Sequence, residues 1–479
     1  MFHRRNLQLC PVAVADNVNS SCIEEHMDIA EKMIRLAEYA GADESECFIQ
    51  WGRGCGVSIE GNELKQATGG TDVGFGLRLL KEGRVGFAYS SSFDDIPSII
   101  KNALSLSRIS PKLDRHFPDA ASYYPKVSGL YDGRVEEMEV TDLMEIIDQM
   151  MCALQDRAPS ALVTRGGVGF GVERVFIANS GGVAFEERGT GLSASISCML
   201  EGRGISTGSS SMESTIFDIN SELIGTEAAD LAIAGQNAKD GPSGEMEVLF
   251  INEAAWEIFE NVVIPAFNGG DTLEGKTYLH GKIGEKIAPE EFSLYDFPLM
   301  EGGLSSSASD DEGVPSVTVP LIENGVATRL LFDCFSAQKY GMDETSSGIR
   351  AEGMGGSRSF KSPPATSARN IIVRGDEEKE LDLMIGEMDR GIVVYDVLGA
   401  HTANRVSGDF SVNSSQLFYV DKGEIINPIG SAMISGNALE LLRGINCIGP
   451  DIKKMSGGMG SASAAFPSLR INNLRITGS

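Results

Sequence analysis

The chain has 479 residues, of which 42% are hydrophobic and 23% charged, with a formal net charge of −28. That length exceeds what one hydrophobic core usually serves, so two domains are expected. The negative balance opposes a sequence-independent grip on phosphate backbones and excludes a general nucleic-acid binder.

Residues 1–26 lack periodicity and read as an N-terminal extension, or as a stretch upstream of a start at Met27. His3-Arg-Arg5 before an apolar run resembles a signal peptide, but Gln8 and Pro11 break the run and argue against one. From Asp28 to Ala40, Ile29, Met33, Leu36 and Ala37 recur at helical spacing, and Gly41 suits a C-terminal cap. Short strands follow at Glu46–Trp51, Val57–Glu60, Glu63–Gln66, Asp72–Leu80 and Val85–Ser90. A helix near Asp94–Ile109 leads into a long connection from Pro111 to Val140. Asp142 with Glu145 resembles a capping box opening a helix to about Gln155. A second β meander runs from Leu162 to about Ser206, turning at Asn179–Gly182, and a helix around Thr226–Ala238 closes it. Helix, meander, helix thus occurs twice, a weak internal duplication.

The breaker cluster Lys239-Asp-Gly-Pro-Ser-Gly244 sets the boundary between domains at 27–240 and 241–479. Met246–Ile251 reads as a strand, and Glu253–Val263 as a helix with Ala255, Ile258, Phe259 and Val262 on one face. After Leu279 the pattern is almost wholly β, with turns at Glu323–Gly325, Asp421–Gly423 and Gly457–Gly460 and one short helix at Asp376–Ile385. The Gly/Ser/Pro-rich loop Thr345–Ser367 is a mobile-lid candidate. The expected class is α+β: an N-terminal two-layer domain of meanders with flanking helices, then a mainly antiparallel β domain, barrel-like or sandwich. The eight cysteines form no C-x-x-C pair, which fits a reducing cytoplasm. No segment approaches the roughly 18 apolar residues of a membrane span.

The most concentrated polar chemistry is Gly399-Ala-His-Thr-Ala-Asn-Arg-Val-Ser-Gly-Asp-Phe-Ser-Val412, which follows the β-branched strand Gly391–Leu398. A rigid strand presenting such a loop is a common way to place binding groups, though His401 and Asp409 could equally serve to tie the loop together. This segment resembles the C-terminal hallmark of the TldD/PmbA family, peptidase-related proteins also described as modulators of DNA gyrase. Asp311–Ser316, Asp333–Ala337, Asn370–Val373, Gly423–Pro428, Ile434–Asn437 and Ile445–Gly449 agree in the same order, and the resemblance runs from about Met27 to the C-terminus.

The resemblance carries implications for chemistry. Peptidases of the family bear His-Glu-x-x-x-His on a helix opening the C-terminal domain, where two imidazoles about one helical turn apart bind zinc and the Glu activates water. A Cys near the C-terminus is the third ligand. Here the matching helix is Ala255–Pro265; Glu260 and Pro265 fall at the His positions, Asn261 at the Glu position and Ser456 at the Cys position. The five histidines, 3, 26, 116, 280 and 401, include no pair three to five residues apart. The resemblance therefore implies the metal-less PmbA/TldE-type branch: no catalytic residue and no cofactor in this chain, with zinc expected only in a partner subunit. It implies pairing with a TldD-type catalytic subunit or with a second copy, and unfolded peptide as substrate. Neither direct nucleic-acid binding nor a membrane is expected. His401, Asn404 and Asp409 are the peptide-binding candidates.

Two rival functions remain at this level. An autonomous hydrolase would use Ser206 in Gly204-Ile-Ser-Thr-Gly208, or a non-standard metal site from His280, His401 and a cysteine. The nucleophile elbow needs a strand before the serine and a helix after it, and Ser209-Ser-Ser-Met212 is a poor helix start. A regulatory interaction protein is the other. Asp310-Asp-Glu312 could hold a hard cation but reads better as a solvated turn, and Gly74-Phe-Gly76 lacks the rest of a nucleotide fingerprint.

Overall fold

A computed structural model describes residues 21–113, 115–202, 204–352, 357–375, 378–457 and 462–478. Its N-terminal part is one six-stranded antiparallel sheet. In spatial order its strands are Arg84–Ser90, Glu63–Lys81, Glu44–Glu60, Leu162–Asn179, Ala184–Glu201 and Ile205–Ser214. The two meanders therefore join through their first strands. Helices Ser21–Tyr39 and Ile96–Ser107 cover one half of one face, and Val140–Arg157 and Ser221–Ala234 cover the other. The duplication extends to detail. A Cβ on Gly86 of the third strand would lie 1.9 Å from the Ala103 carbonyl, and one on Gly208 of the sixth strand 2.0 Å from the Ala228 carbonyl, so each outer strand meets its helix backbone to backbone.

Period-two alternation divides the sheet residues between its faces. Cys47, Ile49, Phe75, Leu77 and Phe176 pack under the first pair of helices, and Val57, Val168, Phe170 and Ile196 under the second. Helix ends follow local chemistry. The Glu139 N–H donates to Asp142 at 2.7 Å, so the box that opens Val140–Arg157 uses Glu139 and Asp142, one turn earlier than expected. The described N-terminal helix likewise begins at Ser21, ahead of Met27.

The C-terminal part has two larger sheets around one core. The first runs Asp409–Ser414, Ala432–Asn437, Leu469–Gly478, Gly244–Phe250, Arg390–Val394, Leu417–Asp421 and Glu424–Ile429, with Ile445–Ile448 also paired to Leu469–Gly478. The second runs Val326–Ala327, Val319–Glu323, Phe292–Asp296, Asn370–Gly375, Ser463–Phe466 and Lys453–Ser456. Pairing is antiparallel except between Gly244–Phe250 and Arg390–Val394 and between Asn370–Gly375 and Ser463–Phe466. The expected α+β class and the mainly antiparallel C-terminal half are therefore what the chain forms. A buried helix, Asn252–Ile258, lies in this core; Phe259 sits with its ring centroid 4.9 Å from Phe466 and 6.2 Å from Phe292.

Two expectations fail where the halves meet. Asp310-Asp-Glu312 is a buried charge cluster, not a solvated turn: all three residues have 0% exposure. Arg78 donates to Glu46 and Glu312 at 2.7 Å each, Arg350 pairs with Glu46, and Arg358 reaches Asp311 at 2.6 Å and Glu173 at 3.4 Å. Asp310 accepts the N–H groups of Glu312, Val314 and Gly348. Carboxylates that read as solvated in isolation are here neutralised by arginines distant in sequence. The other failure is the lid. Within Thr345–Ser367 the described residues form a strap docked on the N-terminal sheet, and residues 353–356 lie outside the described residues. Gln50 accepts the Phe360 N–H at 3.0 Å and donates to the Arg358 carbonyl at 2.9 Å. The Phe360 ring occupies the bare face of Gly74, where a Cβ would lie 2.2 Å from it. Gly74-Phe-Gly76 is thus a landing place for this strap.

Candidate functional site

Between the uncovered face of the N-terminal sheet and the C-terminal half lies a cavity of about 1060 Å³. One wall is sheet main chain, including Gly52, Gly54, Gly171 and Gly191; the opposite wall is the Gly303–Ser307 loop with Ser456, Gly457 and Ser463. Ser305 and Ser463 share a hydroxyl–hydroxyl bond of 2.6 Å, and the Asn370 amide holds Ser306 at 2.8 Å. Arg358, fixed between Asp311 and Glu173, reaches into the same space.

The cavity ends at Ser456-Gly457, and behind it stands the helix singled out by the motif comparison. That helix changes pitch at Phe259–Val263, a π turn in which the Ile264 N–H donates to the Phe259 carbonyl, and it finishes as a 3-10 turn at Ile264–Phe267. Pro265 has no N–H to continue the α ladder, which accounts for the change of pitch. An i→i+5 repeat brings residues five apart towards a common side of a helix; Glu260 lies in that π turn and Pro265 in the 3-10 turn that follows it.

Glu260 is buried, and a Cβ added to Gly457 would lie 2.3 Å from its carboxylate, so these two segments do meet. Asn261 turns back along its own helix and donates to the Glu257 carbonyl at 2.9 Å. Burial, reinforced by the charge of Glu260, pushes the Glu257 carboxyl above its usual range. Ser456 bonds through its N–H and hydroxyl to Glu213 of the N-terminal sheet. The four positions thus offer one carboxylate, an amide engaged elsewhere, a proline and a committed hydroxyl. Zinc of the peptidase type needs nitrogen or sulfur donors, so this set does not fit it. Among the described residues no group of three or more His, Cys, Asp or Glu is arranged to hold a metal.

His401, Asn404 and Asp409 lie together on an exposed loop outside the cavity lining. Its Ala400–Thr402 turn packs against Phe259–Val263, and Tyr278 fastens the two as a donor: its N–H donates to the Arg405 carbonyl and its hydroxyl to the Val262 carbonyl. Asn404 accepts the N–H groups of Val406 and Ser407, and Asp409 accepts from Ser407 and Asn437, which holds its carboxyl below the usual range. His280 bonds the Thr272 carbonyl at 2.8 Å. Ser206 is a buried strand residue whose hydroxyl donates to the Ala232 carbonyl, so no nucleophile elbow forms there.

The glycine wall escaped the sequence reading, although a signal was present. Gly52-x-Gly54-x-Gly56, Gly167-x-Gly169-x-Gly171 and Gly189-x-Gly191 place glycine at the period that strips one face of a strand.

Models of three domains match the chain in order: PmbA/TldA metallopeptidase domain 1 over residues 45–107, the central domain over 133–236 and the C-terminal domain over 243–478. An uncharacterized protein of Methanocaldococcus jannaschii is 30% identical over 420 residues, 87% of this chain and 94% of that protein. The metalloprotease TldD homolog of Buchnera aphidicola is 25% identical over 446 residues, 88% of this chain and 89% of the homolog. The crystal structure of TldE from Thermococcus kodakarensis has the same fold, with a TM-score of 0.86 at 24% identity, covering 94% of this chain and 100% of that one.

Proposed function

The chain belongs to the PmbA/TldD metallopeptidase family, and from that premise we propose that it is the non-catalytic, PmbA/TldE-like subunit of a TldD/TldE-type complex that cleaves unfolded peptides. One feature supports the reading: Glu260, Asn261, Pro265 and Ser456, which the resemblance sets at the zinc-ligand and general-base positions, include no imidazole or thiolate. Zinc then belongs to a TldD-type partner, and this chain contributes walls and peptide contacts. Its partner is that catalytic subunit, or a second copy in the partner's absence. The six described free cysteines fit a cytoplasmic setting, and among the described residues no helix is long and apolar enough to cross a membrane.

The test is reconstitution. Mixed with a TldD-type relative that carries His-Glu-x-x-x-His, the chain is expected to raise hydrolysis of an unstructured fluorogenic peptide above that of the relative alone, with a chelator abolishing it. Hydrolysis by this chain alone would overturn the reading. In the same mixture, alanine at His401, Asn404 and Asp409 together is expected to slow turnover; an unchanged rate removes that loop from peptide contact.

A further inference from the structure

Register places the cavity glycines in rows. Gly54 pairs with Gly70 on one side and Gly171 on the other, and Gly171 pairs with Gly191, so a line of four glycines crosses four strands. Gly52 and Gly189 belong to the neighbouring row, on either side of Glu173. Three inter-strand spacings make this floor about 14 Å wide, matching about four residues of extended chain.

The fold does not require glycine at five of these six places. None of the six has a positive φ. A Cβ at Gly70, Gly171 or Gly191 would meet nothing within 4 Å, and at Gly52 or Gly189 only a carbonyl oxygen at 3.7 or 3.5 Å; at Gly54 alone it would crowd a carbonyl oxygen, that of Phe170 at 3.3 Å. They differ in this from Gly74, Gly86 and Gly208, whose bare faces are filled by Phe360 or by a helix backbone. Glycine within a strand costs about 0.5–1 kcal/mol relative to alanine, and it marks sites where a ligand or another backbone approaches closely.

We propose that the glycine floor is a groove for the main chain of an extended polypeptide, lying between the sheet and the Gly303–Ser307 loop and leading to Ser456-Gly457. The proposal rests on the subunit reading and gives that complex a place to hold substrate within this chain. Three features select the occupant. A floor without side chains admits a thin backbone. Hydroxyls of Ser305 and Ser463 on the opposite wall can serve peptide groups of any sequence. The net charge of −28 disfavours nucleic acid or another polyanion, while in the cavity itself the carboxylates of Asp72, Glu173 and Glu187 are matched by arginines, Arg358 pairing with Glu173.

The experiment measures binding of a fluorescein-labelled, ten-residue Gly/Ser/Ala/Gln peptide to the full chain by fluorescence anisotropy. The wild type is expected to bind saturably. Gly171→Val and Gly191→Val fill open space on strands that favour β-branched residues, so they are expected to melt at the wild-type temperature yet bind at least about tenfold more weakly. Gly171→Ala is expected to lie between. Equal affinity in both valine variants overturns the groove, as does the absence of saturable binding by wild type. Weakened binding in the variants without metal-dependent hydrolysis in any mixture supports the groove and removes the subunit reading. Hydrolysis in the mixture that the valine variants leave undiminished supports the subunit and overturns the groove.

Discussion

Arg78, Glu46 and Glu312 show what holds the halves in register. Each is almost fully buried, and removing one partner would strand the others' charges in a low-dielectric joint, a cost of about 3–5 kcal/mol for such pairs. Burial pushes the Glu312 carboxyl up despite Arg78. Asp296 gives the clearest pH signature. It is fully buried and accepts the N–H groups of Arg369 and Asn370 at 3.0 Å each; burial outweighs their pull and raises it from an ordinary 3.8 to about 6. A raised folded value means the native state holds this proton more tightly than the unfolded chain does. The associated stability is therefore complete below about pH 4 and is lost as pH rises through about 6, a change of about 3 kcal/mol. Asp296→Asn keeps the accepting oxygen and removes the titration. Urea unfolding between pH 4 and 7.5 is expected to give a flatter stability profile for the variant than for wild type, and parallel profiles would contradict this assignment.

At the scale of elements, the strap Ser357–Ser362 has one apolar anchor beside its ion pairs and hydrogen bonds. Phe360 is buried against Gly74 and Gly76, so Phe360→Ala leaves a void between the halves and is expected to lower stability by about 3–5 kcal/mol. Limited proteolysis should then cut within the strap before the rest of the chain; an uncut strap would mean that its hydrogen bonds alone hold it. The sequence made most elements legible: the helices expected at Asp94–Ile109 and Asp142–Gln155 appear within a few residues of those bounds, and the one expected at Asp28–Ala40 is present but begins earlier, at Ser21. It misled at the first two strands. Glu46–Trp51 and Val57–Glu60 form one strand, Glu44–Glu60, and Glu63–Gln66 and Asp72–Leu80 form another, Glu63–Lys81. The gaps between the expected strands contain Gly52, Gly54, Gly56, Gly69 and Gly70, which lie within continuous strands. The buried Asp310–Glu312 cluster was illegible for a different reason: its neutralising partners, Arg78, Arg350 and Arg358, are distant in sequence or carried by a strap that local composition marks as mobile.

Over the whole molecule, family membership and the state of the motif positions pull in opposite directions. The domains match metallopeptidase models in order along the chain, yet where the Glu260 helix meets Gly457 no group of three or more His, Cys, Asp or Glu among the described residues is arranged to hold a metal. The proposed subunit role, with catalysis left to a partner, would reconcile the two. The most direct measurement is elemental analysis of zinc per chain, on full-length protein purified without a metal-affinity tag. The account predicts a value near zero that stays there after incubation with zinc and dialysis. Close to one zinc per chain would contradict it, and would turn attention to His280, His401 and the cysteines as ligands.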